Sequence, residues 1–460
     1  MSTPKADLFD PVVPLEERHP AFEHIRTDPV CFGGRQMMSA VFATFEDKDG
    51  NFIREFQTGG FDARVFELYL HAYFSQSGYE IDTTHQRPDF VVERDGVRVA
   101  IEATTSGRPE PFVVEDLIEP NDEEIARKQR DEMPVRLGSP LYSKLKKEYW
   151  KLKHVAGLPF VIAIEAFHDT TALFFPGGVL ANYLYGLQHT PMFGADGTLT
   201  ISATPIGTHD RPGKEPIPSN FFALPGAEHV SAILFTNSGT YGKFNRMGIQ
   251  AGHQRGDVAV LRSGTCCDHD PNAAKPASFK YEVKQRPTIE PWGEGIEVYH
   301  NPNALIPLPR QFFRHAADSI LDANNQVSSL VPDFHPYMSH SISFRDPSVP
   351  LVQEVDGITI DLLSELEFNE FKPMTEQEAA FLESFAEEVE WLGDRSRFAI
   401  ASILRHFEDQ DWNAVVATRD PLGVFRPVDI LCDFSSRDEA RAAAAQAISR
   451  HVQLGTVAEM

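Results

Sequence analysis

Alternation of apolar and polar side chains is clearest between Arg87 and Thr104. Asp95-Gly96 separates two β-branched runs there, and a two-residue turn of type I′ needs φ > 0 at both central positions, which Asp-Gly tolerates. Counting outward sets Arg94 opposite Val97, Glu93 opposite Arg98, Val92 opposite Val99, Phe90 opposite Ile101 and Asp89 opposite Glu102. Phe90, Val92, Val99 and Ile101 then share one apolar face, and Glu93 pairs with Arg98 across the other. The same reasoning predicts a second hairpin over 38–56, with Asp49-Gly50 as its turn. The prolines of residues 1–36 give an irregular arm.

Helical periodicity takes over at Asp62, an N-cap for a helix to about Gln76 with Gly78 in the C′ position. Val65, Phe66, Leu68, Tyr69, Ala72 and Tyr73 make its apolar face, leaving Arg64, Glu67, His71 and Ser75 as a polar stripe. A short strand over 79–82 leads into the Asp95-Gly96 hairpin. After Thr105 an acidic excursion, helical over 121–132, runs to about Gly138. Ser139-Pro140 then reads as an N-cap followed by proline at the first helical position. Leu141, Leu145, Tyr149, Leu152 and Val155 share one face of the helix that follows, and Gly157 ends it. The continuous apolar run 160–166 has the length of a strand buried on both faces.

The order over 62–166 is helix, three strands, helix, strand, with the last strand parallel to a hairpin strand through a helical crossover. Beyond it, 230–235 reads as a buried strand, and 237–246 as a glycine-containing segment that holds an anion or simply turns. A capping box at 375–378 opens a helix to about Leu392, and a second helix covers 396–407. A strand pair over 412–418 and 423–434 precedes a final helix from Ser436 to about Val452. The predicted division is an N-terminal arm and hairpin (1–60), an α/β core (61–170), a strand- and loop-rich extension (171–345) and a C-terminal α+β domain (346–460).

Composition narrows the class. The chain has 460 residues, 42% hydrophobic and 24% charged, enough apolar material for two or three domains. It offers no apolar run of membrane-spanning length, and its polar start lacks the apolar stretch of a signal peptide, so cytoplasmic residence without a membrane partner is expected. Cys31, Cys266, Cys267 and Cys432 make no disulfide framework. A net charge of −25 argues against a broad basic footprint for nucleic acid. One basic stripe stands against it: Arg136, Lys144, Lys146, Lys147, Lys151 and Lys153, with Glu148 the single acid between Arg136 and His154.

Asp89 opposite Glu102 is the pair that asks for an explanation. Two carboxylates facing each other in a sheet would stand roughly 5 Å apart at Cβ and repel. Either both point into water at a solvated strand end, or a hard divalent cation such as Mg2+ lies between them, taking one or two carboxylates and completing its shell with water and phosphate. Glu67 reads as a solvent-facing residue or as a third carboxylate turned toward the same end of the sheet. Cys266-Cys267-Asp268-His269-Asp270 holds metal-ligand residue types without a partner pair at zinc spacing.

The helix-strand-strand-strand-helix-strand order, Pro88-Asp89 in one strand and Ile101-Glu102-Ala103-Thr104 in the next resemble the PD-(D/E)XK phosphodiesterase superfamily. That resemblance covers about 62–166 and implies a restriction-endonuclease-like αβββαβ core with long insertions and a C-terminal α+β appendage. It implies a metal-dependent nuclease, acting on DNA rather than RNA, in restriction or antiviral defence. Asp89, Glu102 and the Ala103 carbonyl would hold Mg2+, with Mn2+ as a substitute, and Glu67 would add a carboxylate. The pattern departs at Thr104, where the family has lysine. In some members that lysine has moved to the helix after the third strand, which makes Lys144 the expected replacement and Lys147 the next. Lys147, Lys151 and Arg87 are the expected nucleic-acid contacts, and cleavage of both strands of a duplex would call for a homodimer. A catalytically inactive nucleic-acid-binding or regulatory protein with the same fold is the alternative.

Overall fold

The structure, a computed structural model, lays eight strands side by side in one mixed sheet, in the order in which the chain makes them. They are β1 (Glu80–Ile81), β2 (Phe90–Arg94), β3 (Val97–Ser106), β4 (Phe160–Ala166), β5 (Ala232–Thr236), β6 (Ile296–His300), β7 (Ala317–Leu321) and β8 (Val327–Leu330). β3, β4 and β5 run parallel, as do β6 and β7, and the remaining neighbours are antiparallel. Every residue is described except 1–6, 49, 108–126, 168–176, 195–197, 212, 254, 257, 271, 274, 287, 346–351, 356–357, 362–385, 393–398, 407–411, 420–424 and 457–460. The chain divides into two units, residues 1–255 with 259–343, and residues 256–258 with 344–460.

In the first unit the sheet is the middle of three layers. α1 (Pro20–Thr27), α2 (Phe32–Thr44), α3 (Phe52–Gln57) and α4 (Phe61–Gln76) cover one face; α5 (Met133–Leu145) and α6 (Gly178–Tyr185) cover the other; α7 (Tyr241–Gln250) joins the first group. Strand alternation sorts the side chains. Phe90, Val92, Val99, Ile101, Val161 and Ala163 enter the core shared with α1 to α4, whereas Val91, Ala100, Phe160, Ile162 and Ile164 meet Leu137, Leu141 and Leu145 of α5. The even residues of β3, Glu102 among them, therefore face α5. β4 is buried along its whole length, as a strand covered on both sides must be.

The hairpin expected over 38–56 is replaced by α2 and α3. Met37, Met38, Val41, Phe42 and Phe45 are all buried, as are Phe52 and Phe56. Those spacings are helical, and Gly50, at φ 74°, lies in the link between the two helices. α2 lies unusually close to α7: a Cβ on Gly34 would stand 2.3 Å from the Tyr241 ring, and one on Gly248 2.0 Å from the Gly33 carbonyl oxygen. Only glycine permits that approach.

α5 starts six residues before the expected Ser139 cap and carries Pro140 inside it. Proline removes the N–H that would bond to the Arg136 carbonyl, and the Ser106 hydroxyl takes that carbonyl at 3.0 Å. The helix stops at Leu145, and Glu148 turns left-handed at φ 52° before a short 3-10 turn, Tyr149–Lys151. The face expected to run on to Val155 is thus split over two elements. The segment 237–246 is the approach to α7 and its first turns.

In the second unit, strands Ala386–Leu392, Ala399–His406, Trp412–Arg419 and Phe425–Phe434 form an antiparallel sheet in chain order. The first two overturn the helices expected to Leu392 and over 396–407; the capping box at 375–378 lies outside the described residues. Pairing is what decides: Ala401 opposite Val416 and Ile403 opposite Ala414. α8 (Arg437–Thr456) lays Ala440, Ala444 and Ala447 on Ile403, Ala414 and Val416, at the helical spacing that places them on one side. Among the described residues no helix is long and apolar enough to cross a membrane.

Candidate functional site

The site grows out of the β2–β3 hairpin. Asp95 and Gly96 both have positive φ, 52° and 76°, as the type I′ turn requires. The ladder pairs Arg94 with Val97, Glu93 with Arg98, Val92 with Val99 and Phe90 with Ile101, the register counted from the turn. β2 begins only at Phe90, so the N–H of Ala103 has no strand partner there, and the Asp89 carboxylate accepts it at 2.7 Å. A residue's N–H and C=O leave a strand on the same side, so the Ala103 carbonyl also points to that edge. Asp89 is thereby tied beside Glu102.

Glu102 is only 3% exposed. Its Oε1 accepts a hydrogen bond from Lys144 Nζ at 2.6 Å, and its Oε2 is buried without a partner. Burial, and then the Asp89 charge, push the Glu102 carboxyl up to about 7, against the opposing pull of Lys144. Lys144 comes from the last turn of α5 and reaches across the layer to β3. Thr104, two residues after Glu102 on the same face of β3, is half-buried.

Other expected residues lie elsewhere. Glu67 is held by Arg64 on α4, and α4 packs on the opposite face of the sheet from Glu102. It does not join the carboxylate pair. Lys147 is exposed beyond the end of α5, and Lys151 is paired with Glu148 at 2.7 Å. Arg87 is exposed beside the pair and donates to the Tyr149 hydroxyl at 3.0 Å.

Two contributors carry no sequence signal. His154 Nε2 bonds to the Arg87 carbonyl at 2.6 Å, and Tyr149 takes the Arg87 guanidinium both through its hydroxyl and beneath its ring, 5.9 Å from the centroid. The stretch 144–154 therefore gives Glu102 its cation and clamps the residues leading to Asp89. Contacts between residues 67 positions apart leave no trace in local spacing.

No group of three or more His, Cys, Asp or Glu side chains among the described residues is arranged to hold a metal ion. Cys266-Cys267-Asp268-His269-Asp270 is no exception. Asp89 and Glu102 are a two-carboxylate set, the kind that suits a cation keeping most of its own water. Comparison with protein-family models, curated proteins and solved structures gives no match for this chain.

Proposed function

We propose that the chain is a metal-dependent phosphodiesterase of the PD-(D/E)XK type, a nuclease built on residues 61–166. The observation that carries this reading is the contact of Lys144 Nζ with Glu102 Oε1 at 2.6 Å, beside Asp89. α4, β1, β2, β3, α5 and β4 follow the αβββαβ order that the resemblance implies. Acid, acid and lysine meet on one face although the lysine is absent from its usual place in the strand.

The residues fit a hard divalent cation. Glu102 leaves one carboxylate oxygen buried and unpartnered, and its proton is held only up to about pH 7. Asp89, Glu102 and the Ala103 carbonyl would hold Mg2+ or Mn2+, which when bound offsets negative charge on a phosphodiester under attack. Lys144 favours the ionised form of Glu102 against burial and the Asp89 charge, and presents an ammonium where a phosphate oxygen or the attacking water would be oriented. Ala103 N–H and the Arg87 clamp hold Asp89 so that few degrees of freedom remain to be frozen during reaction.

A non-catalytic nucleic-acid-binding or regulatory protein is the second reading. The net charge of −25 and the full engagement of Lys144 by Glu102 favour it. One experiment separates the two: plasmid DNA, single-stranded DNA and RNA are incubated with the protein in Mg2+ or Mn2+, beside Glu102→Gln, Lys144→Met and the double variant Lys144→Met with Thr104→Lys. Cleavage by the wild type should disappear in the first two and return in part in the double variant, whose lysine stands two residues from Glu102 on the same face. Cleavage that survives Glu102→Gln rejects the site. Binding without any cleavage supports the second reading.

A further inference from the structure

Beside the carboxylate pair, the clamp on Arg87 continues into an exposed patch. His85 and His154 stack face to face, ring centroids 3.7 Å apart and planes within 11°. Next to them the Arg87 guanidinium lies over the Tyr149 ring. Lys48 Nζ donates to the His85 carbonyl at 2.7 Å and fixes the turn that carries the ring. His85 and Arg87 are exposed, while Lys48, Tyr149 and His154 are half-buried. Arg87 is two residues from Asp89, so the patch borders the site directly.

From this we infer that the patch is the docking surface for a single-stranded stretch of nucleic acid, with a base laid on the His85 ring and backbone phosphates drawn to Arg87 and Lys48. The proposal rests on the phosphodiesterase reading and names its substrate class. Aromatic faces and cations set along one edge suit unpaired bases, whose π-faces are free; in a duplex the bases are already stacked on each other. Two cations and a ring also match a short strand better than a duplex groove, which proteins grip through many phosphates. A single strand needs one cut, so one copy of the chain suffices.

The test measures binding apart from cleavage. Fluorescence anisotropy is followed with a labelled strand of about 12 nucleotides, within the span such surfaces hold, and with the same sequence as a duplex, in Ca2+ and with Glu102→Gln as the background. The single strand should bind at least about tenfold more tightly than the duplex, and His85→Ala should weaken it by about tenfold, the usual effect of removing one stacking ring. Arg87→Ala should weaken it as well. His85 is exposed, so its loss leaves the core intact. Equal binding of strand and duplex, or indifference to His85→Ala, overturns the docking surface while the cleavage assay above still decides the phosphodiesterase reading. If neither nucleic acid binds and the wild type cuts nothing, both fall together.

Discussion

At the scale of one residue, Glu102 couples protons to any cation the site takes. Its folded carboxyl titrates near 7, against an ordinary value of 4.5, because burial and Asp89 both disfavour its charge. A raised acid binds more protons folded than unfolded between those two values. Its contribution is therefore full below pH 4.5 and is lost as the pH rises toward 7, by about 3 kcal/mol at most. A divalent cation held as proposed would replace that proton. Its apparent affinity should rise by up to about tenfold per pH unit below pH 7 and level off above it. Melting temperatures with and without Mn2+ at pH about 5, 6, 7 and 8 read this directly. A Mn2+ shift that is flat with pH, or that persists in Glu102→Gln, would remove Glu102 from the ligand set.

At the scale of elements, the join between α7, the strand that carries Arg262 and the loop that carries Glu290 and Glu294 is made by charge. Lys243, Arg246, Arg262, Glu290 and Glu294 are all buried, and Glu290 receives Lys243 Nζ at 2.6 Å and Arg246 at 2.9 Å. Burial opposes the ionisation of Glu290, but Arg246, Lys243 and Arg262 override it and hold its carboxyl well below the usual range. Taking away one partner of such a group strands the others. Glu290→Ala should destabilise the first unit by about 3 to 5 kcal/mol, seen as a lower urea midpoint, while Arg286→Lys, at the edge of the group, should lose far less. A Glu290→Ala protein as stable as the wild type would mean that the cations find water instead. None of this was legible in the chain, because Lys243, Arg262 and Glu290 look like ordinary polar positions until three elements meet. The hairpin was legible to the residue, since the β-branched runs on both sides of Asp95-Gly96 agree with the register that turn sets. α2 was not: Val41, Ala43 and Phe45 fit alternation while Val41, Phe42 and Phe45 fit helical spacing, and only packing against α4 and α7 chooses between them. Strand 399–406 was lost in the same way, its helix formers overruled by pairing with its neighbours. In the candidate site, counting from the turn reached Phe90 opposite Ile101 and pointed to Asp89 and Glu102, the resemblance pointed to Lys144, and Tyr149 and His154 needed the fold.

At the scale of the molecule, the proposed anionic ligand has to contend with a charge of −25. Screening does this. At about 0.1 M salt, charges more than about 10 Å away are largely masked, so a strand lying on Arg87, Lys48 and the end of Lys144 meets mostly local cations. With about three phosphates engaged, log K against log salt should fall with a slope of about −2, the value for single strands. At about 0.01 M the screening length grows to about 30 Å and the distant carboxylates come into range. The line should then bend over, with affinity ceasing to rise as salt is lowered further. A titration by anisotropy across that range decides the matter. A slope steeper than about −5 would require a broad basic surface away from the candidate site, and a slope of zero would mean that no phosphate is held at all.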